Sequence, residues 1–246
     1  MSAVLVIAGS DSSGGAGLTR DVRTLAHFGA GVLCAVTAVT AQSDAQVSAV
    51  HLVPPQVVSA QIAAALATGR VGAIKIGMLG TRATVLAVAA SLPPRTTTPL
   101  VLDPVLAASS GGELLDAAGR AALLETLLPR ATVVTPNIPE AAALLGTHSA
   151  ASEAQLLQQG EALLALGAEH VLLKGGHGAG AEATDLLLTS GGAVRRFSAR
   201  RLAATRRGTG CALASALAAG LAQGLDVASA SARAKKFVTA LLEQSD

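Results

Sequence analysis

Arg207-Gly208-Thr209-Gly210-Cys211, followed at once by an Ala- and Leu-rich run to Gln223, is the stretch on which the fold of this chain turns. Small, backbone-exposing residues stand directly before a helical pattern carried by Ala212, Leu213, Ser215, Ala216, Leu217 and Ala219. The first turn of a helix has backbone N–H groups with no intrahelical partner, and the helix dipole makes that end positive. With Gly208 and Gly210 lacking side chains, an anion can approach those groups closely. Cys211 falls in the first turn, where the same field favours thiolate over thiol. A phosphate cradle beside an activatable base is what phosphoryl transfer to an alcohol needs. The competing reading is a Gly-rich turn that caps a helix, with Cys211 a small buried hydrophobe.

Outward from this stretch, strand-like and helix-like runs alternate. Short apolar runs predict strands over 4–8, 31–39, 73–76, 100–102, 132–135 and 170–173, with an edge strand over 47–53. Two further strands, 185–189 and 193–198, read as a hairpin across Ser190, Gly191 and Gly192. Helices are expected up to His27, where Gly29 stops the run, from Pro55, and over 81–91, 117–128 and 152–166. Another opens at Asn137, and two close the chain, one to Gln223 and one from Leu225. Without a linker or internal repeat, this pattern implies one domain over 1–246. The expected fold class is α/β, a three-layer α/β/α sandwich with a mostly parallel central sheet and functional residues at strand C-termini.

Composition narrows the function classes. Of 246 residues, 51% are apolar, yet there are three Phe and no Trp or Tyr, so the core must be aliphatic and closely packed. A net charge of +2 and the missing aromatic platform argue against a nucleic-acid groove. Cys34 and Cys211 form neither a disulfide framework nor a metal pair, which suits a reducing, cytoplasmic setting. Cys34, in an apolar strand-like run, is expected to be buried. The five His residues show no metal-ligand spacing. There is no basic leader, and no run reaches the ~18 apolar residues of a membrane span.

The candidate functional residues collect where strands end. Gly9-Ser10-Asp11-Ser12-Ser13-Gly14-Gly15-Ala16-Gly17 is a Gly-rich loop between strand and helix, but neither a Walker loop nor a dinucleotide fingerprint. Its glycines would let a substrate lie against backbone and Asp11 hydrogen-bond it, with helix capping by Ser12 or Ser13 the alternative. Gln42 offers a carboxamide that both donates and accepts, suited to a heterocycle edge. Met78 is core or packs against a flat ligand. Asp103 can bind a hydrated cation or orient a phosphate. Asn137 and Glu140 read as a capping box, as part of a Mg²⁺ shell, or both. Lys174, beside glycines, suits a phosphate contact, and 107–113 is a small-residue loop, either a flap or a plain connection. The arginines 195, 196, 200, 201 and 206 read as a solvated face, with Arg207 the exception.

Seven tracts in order then resemble one family. They are Gly9-Ser10-Asp11 with Gly14-Gly15-Ala16-Gly17, Thr40-Ala41-Gln42, Lys75-Ile76-Gly77-Met78, Leu102-Asp103-Pro104-Val105, Thr135-Pro136-Asn137 with Glu140-Ala141, Lys174-Gly175-Gly176-His177, and Gly208-Thr209-Gly210-Cys211. Together they resemble the hydroxymethylpyrimidine/phosphomethylpyrimidine kinases of thiamin biosynthesis, in the ribokinase-like superfamily. The resemblance implies ATP and Mg²⁺, with 4-amino-5-hydroxymethyl-2-methylpyrimidine and then its monophosphate as acceptors. It places the pyrimidine near Asp11, Gly15, Ala16, Gln42, Met78 and Val105. Cys211 would be the base, with Gly208, Thr209 and Gly210 holding the transferring group. Lys174, Thr209 and Arg207 would contact nucleotide, and Asp103, Asn137 and Glu140 would organise the metal. Relatives are often dimers, so a homodimer is expected.

This chain departs from the family pattern at named positions. Arg207 stands where a His is common, Ser12 where a Pro is usual, and Ser43-Asp44 where an Asn-Thr-like pair is usual; the flap lacks a Lys near Ser109. Arg207 would then supply charge toward a doubly charged acceptor. The weighed alternatives are a pyridoxal or hydroxyethylthiazole kinase and a non-catalytic pyrimidine- or nucleotide-binding relative. A nicotinamide oxidoreductase fails on glycine spacing.

Overall fold

The protein is described here by a computed structural model that covers residues 2–93, 98–108, 112–177, 180–202 and 206–244. Its strands are β1 (Ala3–Asp11), β2 (Gly31–Gln42), β3 (Val47–Leu52), β4 (Val71–Ile76), β5 (Leu100–Leu102), β6 (Val133–Val134), β7 (His170–Leu173), β8 (Glu182–Thr189) and β9 (Val194–Arg200). They form one sheet in the order β3-β2-β1-β4-β5-β6-β7-β8-β9. The six strands from β2 to β7 in that order are parallel; β3 pairs antiparallel with β2 at one edge, and at the other β8 pairs antiparallel with β7 and β9 with β8. From β1 the chain goes first to β2 on one side and then to β4 on the other. That reversal opens a crevice at the carboxyl ends of β1 and β4, where α/β proteins bind ligands.

Helices cover both faces, as the three-layer expectation requires. α1 (Gly17–His27), α7 (Thr209–Ala222) and α8 (Val227–Glu243) pack on one face. α2 (Pro55–Ala67), α3 (Arg82–Ser91), α4 (Ala117–Thr126), α5 (Ile138–Leu145) and α6 (Glu153–Ala165) pack on the other. β1 shows how a period-2 side-chain pattern builds two cores at once. Val4, Val6 and Ala8 join the α1/α7/α8 layer, while Leu5 and Ile7 join the opposite layer, so the strand is apolar throughout. Both cores are aliphatic, and the three Phe sit only half-buried against the α7/α8 layer.

α7 is buried on every side from Ala212 to Leu221, which its Ala-rich composition permits. A Cβ on Gly220 would lie 2.8 Å from that of Ala230, so the α7–α8 approach depends on the missing side chain. Element boundaries follow the sequence reading closely, with Thr81, Ser152 and Asn137 each accepting from a backbone N–H as N-cap.

Two expectations are corrected, and one alternative is set aside. Cys34 is exposed rather than buried, because β3 pairs only with Ala38 to Gln42 of β2 and leaves the first half of β2 at the sheet edge. Neither Ser12 nor Ser13 caps α1; its N-cap is Ala16, whose N–H donates to the Asp11 carboxylate at 2.9 Å. Arg201 is not part of a solvated face, since its guanidinium donates to the carbonyls of Gly175, Gly176, Gly180 and Glu182, clamping the β7–β8 connection.

Candidate active site

A cleft of about 1150 Å³ runs along the carboxyl ends of the strands. Its lining includes Asp11, Ala16, Gln42, Met78, Asp103, Val105, Asn137, Glu140, Lys174, Arg207, Gly208, Thr209, Gly210 and Cys211. Thus the sequence-predicted residues converge, with one exception. Gly15 lies beneath the Arg207 guanidinium, where a Cβ would come within 3.4 Å of Nη1.

At one end, two glycine tracts interlock. Gly208 has φ +74°, and a Cβ there would collide with the Gly15 carbonyl; a Cβ on Gly17, at φ +56°, would collide with the Gly9 carbonyl. Both are left-handed positions that glycine alone fills without strain. The outcome is that the start of α7 sits against the first loop. Asp11 organises that loop: Oδ1 accepts from the N–H and hydroxyl of Ser13, and Oδ2 from the Ala16 N–H and Arg207 Nη2. Those contacts occupy roughly the four acceptor positions of a carboxylate, so Asp11 shapes the loop rather than offering lone pairs to a substrate. Ser12 joins the loop to the end of β2, donating to the Gln42 carbonyl and accepting from its N–H. The Gln42 side chain accepts from Thr40 Oγ1 at 3.2 Å. Met78 closes the floor, its sulfur 2.8 Å from where a Gly9 Cβ would be.

Midway along the cleft, three neighbouring strand ends bring charge together. Lys174 Nζ, just past β7, lies 3.0 Å from Asp103 Oδ1, just past β5, and 3.4 Å from Glu140 Oε2. Asn137, just past β6, caps α5: Glu140 N–H donates to Asn137 Oδ1 and Asn137 N–H to Glu140 Oε2, a complete capping box. Burial draws the Lys174 pKa down, but the Asp103 and Glu140 carboxylates more than offset this and hold the ammonium above its ordinary range. Burial raises the Glu140 carboxyl, against the pull of Lys174. Lys174 Nζ is also 3.2 Å from where a Gly210 Cβ would be, so the ammonium faces the first turn of α7. Among the described residues, no three His, Cys, Asp or Glu side chains form a metal cluster.

Cys211 occupies that first turn, partly open to the cleft. Burial pushes its thiol up to about 11, with the nearby Lys75 ammonium pulling the other way. Burial thus outweighs the helix field that favours thiolate, and the resting sulfur carries its proton.

Below it lies a feature that sequence reasoning missed. Lys75 is fully buried, 2.9 Å from Asp21 Oδ2, and Ser215 Oγ donates to Asp21 Oδ1 at 2.8 Å. Ser215 is one helical turn beyond Cys211, so the ion pair sits directly beneath the sulfur's face of α7. Burial disfavours the Lys75 charge, but Asp21 beside it keeps the ammonium protonated. The sequence signals were an ionisable residue inside the otherwise apolar run of β4 and its place in the Lys75-Ile76-Gly77-Met78 tract, neither of which points to Asp21. The far end of the cleft, lined by Asp185, Arg201, Lys235, Val238 and Leu242, was also missed, because β8 and α8 are distant in sequence. In the 107–113 loop, Ala107 pairs with Glu113, while Ser109, Ser110 and Gly111 lie outside the described residues.

A helix N-terminus bounded by glycines, facing a lysine and two carboxylates across the strand ends of a three-layer sheet, defines the class of ribokinase-like small-molecule kinases. A family model described as phosphomethylpyrimidine kinase matches residues 11–246. A hydroxymethylpyrimidine/phosphomethylpyrimidine kinase of Rhizobium meliloti is 44% identical over 98% of this chain and 91% of its own. Among solved structures, phosphomethylpyrimidine kinase of Clostridium difficile 630 superposes with a TM-score of 0.84 at 34% identity, covering 98% of this chain and 99% of that one. Pyridoxal kinase of Staphylococcus aureus, solved in complex with ADP, gives 0.90 at 32% identity, covering 99% and 88%. The chain belongs to the phosphomethylpyrimidine kinase family, and the kinase and the fold expected from its sequence are borne out.

Proposed function

We propose that the protein transfers the γ-phosphoryl group of ATP to the hydroxymethyl oxygen of 4-amino-5-hydroxymethyl-2-methylpyrimidine and then to the resulting monophosphate. The observation that carries this reading is the first turn of α7, with Gly208, Thr209, Gly210 and Cys211 facing Lys174 and opening onto the same cleft as Gln42 and Met78. In the first step the alcohol oxygen forms a bond to γ-phosphorus, the bond to the ADP oxygen breaks, and the alcohol proton leaves. In the second, an oxygen of the acceptor phosphate makes the same attack.

This chain's residues supply position and charge. Gln42, Met78, Ala16 and Val105 hold the ring, and Asp11 keeps its loop in place. The amides of the 208–211 turn receive charge that develops on the transferring group, and Lys174 neutralises phosphate oxygens. Cys211 accepts the alcohol proton. With the thiol at about 11, only a small thiolate fraction is present near neutrality, and the Lys75 ammonium is what keeps that fraction from falling further. Mg²⁺ bound with the nucleotide would offset phosphate charge. Asp103 and Glu140, hard oxygen donors on either side of Lys174, with Asn137 fixing Glu140, fit a cation that brings its remaining ligands as phosphate and water. All 246 residues act as one kinase unit in this reading, as a cytoplasmic homodimer. Among the described residues, no helix is long and apolar enough to cross a membrane.

The test is product analysis with the pyrimidine alcohol and then its monophosphate, each with Mg-ATP, beside pyridoxal and hydroxyethylthiazole. Monophosphate and diphosphate products with the pyrimidine preferred support the reading. Preferred turnover of pyridoxal, the substrate named for several structural neighbours, overturns the substrate assignment. Absence of ADP release with every acceptor overturns the kinase itself.

A further inference from the structure

Arg207 and Asp44, 163 residues apart in the chain, meet in space. Arg207 Nη2 lies 3.0 Å from Asp11 Oδ2, and Nη1 lies 3.0 Å from Asp44 Oδ1, 3.0 Å from Ser13 Oγ and 2.8 Å from the Ser43 carbonyl. The two halves of this clasp differ in burial. The Asp11 side chain is 4% exposed and the Asp44 side chain 90% exposed, while Arg207 itself is 15% exposed. Nη1 has two hydrogens and three acceptors, so one of those acceptors is always surplus. Nε, by contrast, is buried without a partner among the described residues. The guanidinium is therefore anchored on one side and loosely held on the other, and it stands one residue before the 208–211 turn.

Resting on the function proposed above, we infer that Arg207 is a specificity-determining residue for the second phosphorylation, and that Asp44 is a resident counter-ion which the acceptor's phosphate displaces. A monophosphate acceptor must bring its dianion to the 208–211 turn, beside the nucleotide's own negative charge. Arg207 is the cation adjoining that turn on the acceptor side, and its fork suits a phosphate. Giving up Asp44 costs little, since an exposed ion pair is weak and solvent replaces it. The Asp11 contact stays and keeps the guanidinium aimed. The neutral alcohol has no anion to exchange, so it leaves the clasp closed. Asp44 thereby sets a threshold that favours the alcohol over its monophosphate.

The experiment measures kcat/KM for the alcohol and for the monophosphate with Mg-ATP and reads their ratio. Arg207→Gln is expected to lower monophosphate relative to alcohol turnover by about ten- to a hundredfold, the range for one charged hydrogen-bond partner. Asp44→Asn is expected to raise that ratio by about 1.4- to 5-fold, as an exposed ion pair implies. Arg207→Lys, which keeps charge without the fork, should fall between Arg207→Gln and the unmodified protein. If Arg207→Gln changes both substrates equally, Arg207 merely holds the loop and the inference is overturned. An Asp44→Asn ratio that is unchanged or lowered overturns the counter-ion role, and this variant remains informative if Arg207→Gln does not fold. An unmodified protein that phosphorylates the alcohol but not the monophosphate sinks the inference alone. One that phosphorylates neither sinks the function on which it rests.

Discussion

Two lysines, each beside a parallel strand's carboxyl end and each paired with carboxylate, carry different burdens. Lys75 has no exposure, and its partner Asp21 has none, with Ser215 completing the carboxylate's bonds. Lys174 is 12% exposed at the cleft surface and shares itself between Asp103 and Glu140. The first is a closed arrangement in which every charge is spoken for. The second is open: Lys174, Asp103 and Glu140 all line the cleft, where the proposed function has the cation meet phosphate and the carboxylates a metal. The lesson is that the same ion pair is structural or functional according to whether a third party can enter it.

That contrast can be broken by substitution. Lys75→Met should destabilise the fold by about 3–5 kcal/mol, because Asp21 is left charged and sealed in the core. A large drop in denaturant midpoint is the expected reading, and combining it with Asp21→Leu should recover most of the loss. Equal stability of Lys75→Met and the unmodified protein would refute the closed arrangement. Lys174→Met should lower the midpoint less, because Asp103 and Glu140 border the cleft and can take up a proton or a solvent cation, and should reduce turnover by roughly 10²–10³-fold, the usual cost of one oriented charge stabiliser. A stability loss without a kinetic one would reverse the two assignments.

Acidity sharpens the comparison further. Cys211 lies above Lys75 and has its thiol pushed up to about 11 by burial. If its thiolate takes the alcohol proton, turnover rises close to tenfold per pH unit from about pH 7 to about pH 10, since the active form is the deprotonated one. A profile flat across that range contradicts the base role. The smallest effect belongs to Asn137→Ala, which removes the side-chain half of the capping box. It should cost about 1 kcal/mol and lower Tm by a few degrees, with turnover little changed because the Asn137 backbone N–H still holds the Glu140 carboxylate.

Much of this was legible in the sequence, for reasons that are local. Gly-rich turns, strand-end Asp103 and Lys174, and the Asn137/Glu140 box are patterns of a few consecutive residues, and a parallel sheet brings strand ends together automatically. What escaped is non-local. Asp21 and Lys75 are 54 residues apart, and nothing near either announces the other. Arg201 looks like one more surface arginine until the carbonyls of the β7–β8 connection surround it. The balance at the Cys211 thiol was only half legible: the helix dipole can be read from sequence, whereas desolvation depends on what packs over the sulfur. Cys34 was misjudged because an apolar run does not say where its neighbouring strand stops.

The central claim is that phosphoryl transfer happens at the first turn of α7 with the Cys211 sulfur taking the proton. It is tested most directly by ADP release from Cys211→Ala at saturating pyrimidine and Mg-ATP, beside its thermal midpoint. The account predicts a fall in turnover of ~10²–10⁴-fold with the midpoint little changed. Turnover close to that of the unmodified protein would contradict it.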